Sequence, residues 1–113
     1  MSRQRYYFSI ADFAAARGKD PDLAFEGHSP EALADALREA LRTPELFERW
    51  RAKQEDPDQV DKGLAVVDPQ AEVKAGQASL KVDVQVSTDL PMRVLRHRLE
   101  LLVGKHWTLH DVR

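Results

Sequence analysis

Between residues 79 and 87 the chain reads SLKVDVQVS, in which Leu80, Val82, Val84 and Val86 alternate with Lys81, Asp83 and Gln85. Successive side chains of an extended strand point to opposite faces, so this stretch predicts a strand with one apolar face and one polar face. A sheet of such strands has one face to cover, and packed helices are the usual cover. RYYFSI near the start alternates in the same way, with Tyr6, Phe8 and Ile10 against Arg5, Tyr7 and Ser9. At 113 residues the chain has the length of one ordinary domain. The expected fold class is α+β, a single small domain with a three- to five-stranded sheet packed against two to three helices.

Three segments carry helix signals. In HSPEALADALREALR, Ser29 is placed to cap, Pro30 suits the first helical position and Glu31 complements the helix dipole. Leu33, Ala36, Leu37, Ala40 and Leu41 then fall on one stripe and belong to the core. TPELFERWRAKQ repeats the start signal with Thr43 and Pro44, and groups Leu46, Phe47 and Trp50 before Pro57 ends the segment. In the third segment Thr88 or Asp89 can cap, Pro91 lies in the first turn and Gly104 stands where a C-terminal glycine belongs. The same residues also fit a hairpin about Gly104-Lys105, but the dozen helix formers after Pro91 make the helix the stronger reading. HWTLHDV then returns as a last strand, and strand, helix and strand in that order call for a right-handed crossover between parallel strands. ADFAAARGKDPD reads as loose helical turns followed by a loop, and LAFEG as a short strand.

The third helix has two apolar sides. Met92, Leu95, Leu99, Leu102 and Val103 form one stripe, while Leu90, Val94, His97 and Leu101 lie nearly opposite. One side can pack on the sheet. The other requires either helices of the same chain or a second subunit, which makes Leu90, Val94, His97 and Leu101 the candidate interface of a homodimer.

The same helix carries the candidate basic patch, Arg93, Arg96, Arg98 and Lys105. With Arg113 against Glu100 and Asp111, residues 90–113 hold a local excess of three positive charges in a chain whose net charge is −2. Residues 55–77 read as an acidic connection, in which residues 55–72 set Glu55, Asp56, Asp58, Asp61, Asp68 and Glu72 against Lys62. Either LAVV adds a short strand there or the connection is mobile. The arginines of the patch are expected to pair with these acids, since charge runs usually belong to solvated faces.

No motif for chemistry appears. The chain has no cysteine, which removes disulfides, thiolate nucleophiles and cysteine-held metals. A calcium loop started at Asp56 would put Val60, Asp61 and Val67 where ligands and glycine are required. On a strand His106 and His110 share a face but stand ~13 Å apart, too far for one ion. Gly104-Lys105 lacks the rest of a phosphate loop, and Ser29 lies outside a nucleophile elbow. No metal or other cofactor is therefore expected. The acidic balance and the missing aromatic motif argue against nucleic acid. No run of residues approaches a membrane span or a signal peptide, which points to a soluble cytoplasmic protein. The expectation is a non-enzymatic protein-interaction or regulatory domain, homodimeric. The alternatives are a nucleic-acid-binding accessory protein using the basic face, and a small-ligand domain or enzyme without a recognisable motif.

Overall fold

The structure, a computed structural model, describes residues 3–113. In chain order the elements are β1 (Gln4–Ala11), α1 (Pro30–Arg42), α2 (Glu45–Ala52), β2 (Glu72–Ala78), β3 (Lys81–Thr88), α3 (Met92–Val103) and β4 (Thr108–Val112). Among the described residues the four strands form one sheet in the order β2-β3-β1-β4, every neighbouring pair antiparallel. This is the α+β class that the alternating strands required. β3 and β4 run parallel, as the strand–helix–strand order predicted, but β1 lies between them.

Alternation assigns the faces. Tyr6, Phe8 and Ile10 of β1 and Val82, Val84 and Val86 of β3 are at most 2% exposed and join the helices in one core. Arg5, Tyr7, Asp83 and Gln85 occupy the other face. The molecule is 19 Å deep along its shortest axis, room for one sheet and one helical layer. The second face is consequently uncovered among the described residues. Leu80 departs from the expected alternation: it sits in the two-residue turn between β2 and β3, 92% exposed.

α1 forms as its signals require. Ser29 is extended and its Oγ accepts from the Ala32 N–H at 3.1 Å, with Pro30 following at once. Leu33 and Leu37 are fully buried, each stabilising the fold by about 1.5–3 kcal/mol relative to exposure. The helix stops where Thr43 turns extended ahead of Pro44, which has no N–H with which to continue it. Thr43 does not cap α2; its hydroxyl donates back to the Glu39 carbonyl.

α3 is a helix and not a hairpin, ending at Gly104 with φ 70. Its start differs from expectation, because the Thr88 hydroxyl donates to Asp68 at 2.7 Å and accepts from the Leu90 N–H, leaving no side-chain cap. Both apolar sides are satisfied within the chain. Val94 is fully buried and Leu90 is 2% exposed, with α1 and the turn Lys62–Ala65 against the helix.

The strand expected at LAFEG, and the strand that was one alternative for LAVV, give way to irregular chain anchored on α3. LAFEG is irregular: Leu23 and Phe25 are buried, and the Phe25 N–H donates to the Leu102 carbonyl at the end of α3. LAVV begins within the 3₁₀ turn Lys62–Ala65 and then runs extended, and its Leu64 and Val66 carbonyls accept from Arg98. Residues 72–77, placed in the acidic connection by the sequence pattern, belong to β2.

Candidate functional site

The sheet has two edges, and they are finished differently. At the start of β2 the outward carbonyls are occupied. Arg38 of α1 donates to the Val73 carbonyl at 2.7 Å, and Arg42 donates through Nε to the Ala71 carbonyl at 2.7 Å while pairing with Glu72 at 3.0 Å. Val73 and Ala71 are at most 1% exposed, so α1 seals this end of the edge. Lys74 follows on the exposed side, a charge that discourages further pairing.

β4 has β1 on one side and, among the described residues, nothing on the other. All five of its residues are exposed. Arg5 and Arg113 exchange both backbone hydrogen bonds at 2.8 Å, which sets the alternation of the ladder. Arg5, Tyr7 and Ser9 turn their backbone groups toward β4, where Tyr7 lies opposite Asp111 and Ser9 opposite Thr108. The register slips by one residue between them, so His110 is the extra residue of a bulge. Leu109 and Val112 therefore present N–H and C=O outward. The Val112 N–H is held by the exposed carboxylate of Asp111 at 2.9 Å, which also pairs with Arg113 at 2.6 Å.

Side chains strengthen the contrast. Leu109 lies opposite Phe8 and Val112 opposite Tyr6, so both point to the helical side of the sheet, yet they are 37% and 41% exposed. The helical layer ends before it reaches them. Beside them Trp107 meets Phe8 edge-on, with ring centroids 6.0 Å apart. On the opposite face the His110 ring hydrogen-bonds the Ser9 hydroxyl at 2.7 Å, next to a depression of about 500 Å³ floored by Tyr7, Gln85 and Lys74.

The residues singled out in the sequence do not gather into one site. Of the expected interface, Leu90 and Val94 are core; they cannot form a subunit contact while the chain is folded. His97 and Leu101 are half-buried and line a cleft of about 600 Å³ with Trp50, Lys105 and the 17–23 segment. Both His97 ring nitrogens are buried without a hydrogen-bond partner among the described residues, and the Trp50 ring meets His97 edge-on at 4.4 Å. Burial, followed by the neighbouring Arg98 charge, holds the His97 pKa below its ordinary value.

The basic patch divides as well. Arg93 pairs with Asp61 at 2.6 Å, as the acidic connection led one to expect, while Arg96 and Lys105 are exposed. Arg98 leaves the patch altogether, with no exposed surface. It donates to the carbonyls of Ala40 and Val66, both at 2.9 Å, and to that of Leu64. The Ala40 carbonyl would ordinarily receive the N–H of residue 44, which is a proline. Arg98 supplies the missing donor, and burial depresses its pKa.

Sequence reasoning placed the final strand but missed its bulge and its bare side. The available signal was the pair of apolar residues, Leu109 and Val112, on a strand that otherwise carries Thr108, His110 and Asp111. Compared with known proteins, the chain matches no family model, no curated protein and no solved structure.

Proposed function

We propose that the protein is a non-enzymatic interaction domain that docks partners by strand addition to β4. One observation carries this reading: the N–H and C=O groups of Leu109 and Val112 face outward beside their own exposed apolar side chains, on an edge without a neighbour among the described residues. Backbone pairing would supply affinity there, and the two side chains would supply specificity. The absence of cysteine suits a reducing compartment such as the cytoplasm. A role on nucleic acid loses support because Arg98 is core and Arg93 is paired, which leaves Arg96 and Lys105 apart from the rest of the patch.

The test is selection of extended peptides from a displayed library on the full chain, followed by NMR mapping of the winners. Selected peptides should shift β4 resonances, protect the Leu109 and Val112 amides from exchange, and lose binding to Val112→Pro. Proline at 112 removes an outward N–H and keeps the inward ladder. Winners that map to the helical layer, or that bind Val112→Pro equally well, would contradict the reading.

A further inference from the structure

We infer that the strand added to β4 is β4 of a second copy, paired antiparallel about a two-fold axis that passes between His110 and Asp111. This rests on β4 being a docking edge, and it adds the identity of the occupant. The first argument is register. The outward residues of a regular strand are two apart, whereas those of β4, Leu109 and Val112, are three apart because the bulge lies between them. A second β4 carries the same bulge. In an antiparallel arrangement Leu109 faces Val112 of the copy, and Val112 faces its Leu109. Each pair exchanges two backbone hydrogen bonds, and the two bulges fall opposite one another.

Side-chain chemistry selects the same register. Leu109 and Val112 both point to the helical side, so in the pair they form one four-residue apolar cluster beyond the end of that layer. Opposed residues on a shared face stabilise a ladder when both are apolar or when their charges are opposite. The next opposed pair is His110 with Asp111, an imidazole against a carboxylate, present twice by symmetry. A slip of one residue, centred on His110, would set Leu109 against Asp111 and lose both gains. Asp111 also has a role in the free chain, because its carboxylate occupies the Val112 N–H that the copy's Leu109 carbonyl would take. The edge is thus covered in the monomer by an exposed and displaceable group. The pairing would extend the four-stranded sheet to eight strands, an isologous contact that closes on itself and leaves the β2 edges at the ends.

Sedimentation of the wild-type chain over a range of concentrations should show a reversible dimer. Val112→Pro should weaken it at least about tenfold, a loss of about 1.4 kcal/mol. Leu109→Lys, at an exposed position where a charge does not threaten folding, should do the same if the proline variant fails to fold. Register is read by cross-linking, because the chain has no thiol of its own. Leu109→Cys protein mixed with Val112→Cys protein should form a disulfide readily, since opposed residues lie at a bridgeable separation. Either variant alone should cross-link poorly. A wild-type chain that stays monomeric at high concentration overturns this inference while leaving the peptide-docking test standing. A dimer indifferent to both substitutions, or one that cross-links equally within each single variant, overturns it too.

Discussion

β2 and β4 face the same problem, a row of backbone groups with no strand beside it, and the protein treats them in opposite ways. Beside β2 runs α1, whose Arg38 and Arg42 reach the Val73 and Ala71 carbonyls. Among the described residues no helix runs beside β4, and Leu109 and Val112 remain exposed. Edges are normally blunted by charge, bulge or cover, because a bare edge recruits other chains. β2 has cover and charge. β4 has a bulge, but a bulge that leaves two outward residues with matching apolar side chains does not blunt the edge against a partner of the same shape. The contrast teaches that the fold seals the Ala71–Val73 end of one edge with arginines of α1, and leaves the β4 edge to a single displaceable carboxylate.

The largest effect is expected where the comparison depends on α1 keeping its position. Arg98→Ala would leave the Ala40, Leu64 and Val66 carbonyls without their donor in a buried site, and should cost about 3–5 kcal/mol in denaturant unfolding. A loss within about 0.5 kcal/mol would mean that these carbonyls find other partners. Next comes removal of the seal itself. Arg38→Ala combined with Arg42→Ala should lower stability by about 1–2 kcal/mol and open the β2 edge. That edge should then self-associate in a way that Val112→Pro does not suppress, which sedimentation would detect. If the double variant associates no more than the wild type, the arginines do not guard that edge.

A smaller effect is expected with acid. Asp68 is 5% exposed; burial alone would raise its pKa, but hydrogen bonds from Thr88, Gln70 and Asp89, with the Arg3 charge, outweigh this and hold it below the usual carboxylate value. A depressed folded pKa means stability that is complete above the unfolded value, about 3.9, and lost as pH falls through the folded value. Asp68→Asn should therefore flatten the acid limb of the stability profile. Because Asp68 joins the approach to β2 with the end of β3, acid should loosen that side before β4. An unchanged acid limb in the variant would remove Asp68 from this role.

Alternation made β1 and β3 legible, because Tyr6, Phe8, Ile10 and the three valines of β3 obey a period that only a half-buried strand imposes. It failed at Leu80, where the pattern runs on into a turn. It also missed β2, whose EVKAGQA continues the core-facing positions Val73 and Ala75 with the polar Gln77, so that the alternation is too short to read. α1 was readable from its cap and stripe alike. The second stripe of α3 was legible as a demand for cover but not as to who provides it, since periodicity carries no information about the chain's other elements. Arg98 was hidden among exposed arginines, although it stands three residues from Leu95 and four from Leu102, on the buried side. The reason for its burial lies far away in sequence, in the donor that Pro44 lacks. The bulge at His110 depends on pairing with β1 and leaves no mark in local composition.

The most direct measurement is residue-resolved amide hydrogen exchange at low and high protein concentration. The account predicts that protection at Leu109 and Val112 rises with concentration, that the inward amide of Asp111 changes little, and that the amides of β2 do not respond. Protection that stays flat at Leu109 and Val112, or that rises along β2 instead, would contradict the claim that β4 is the open edge of this sheet.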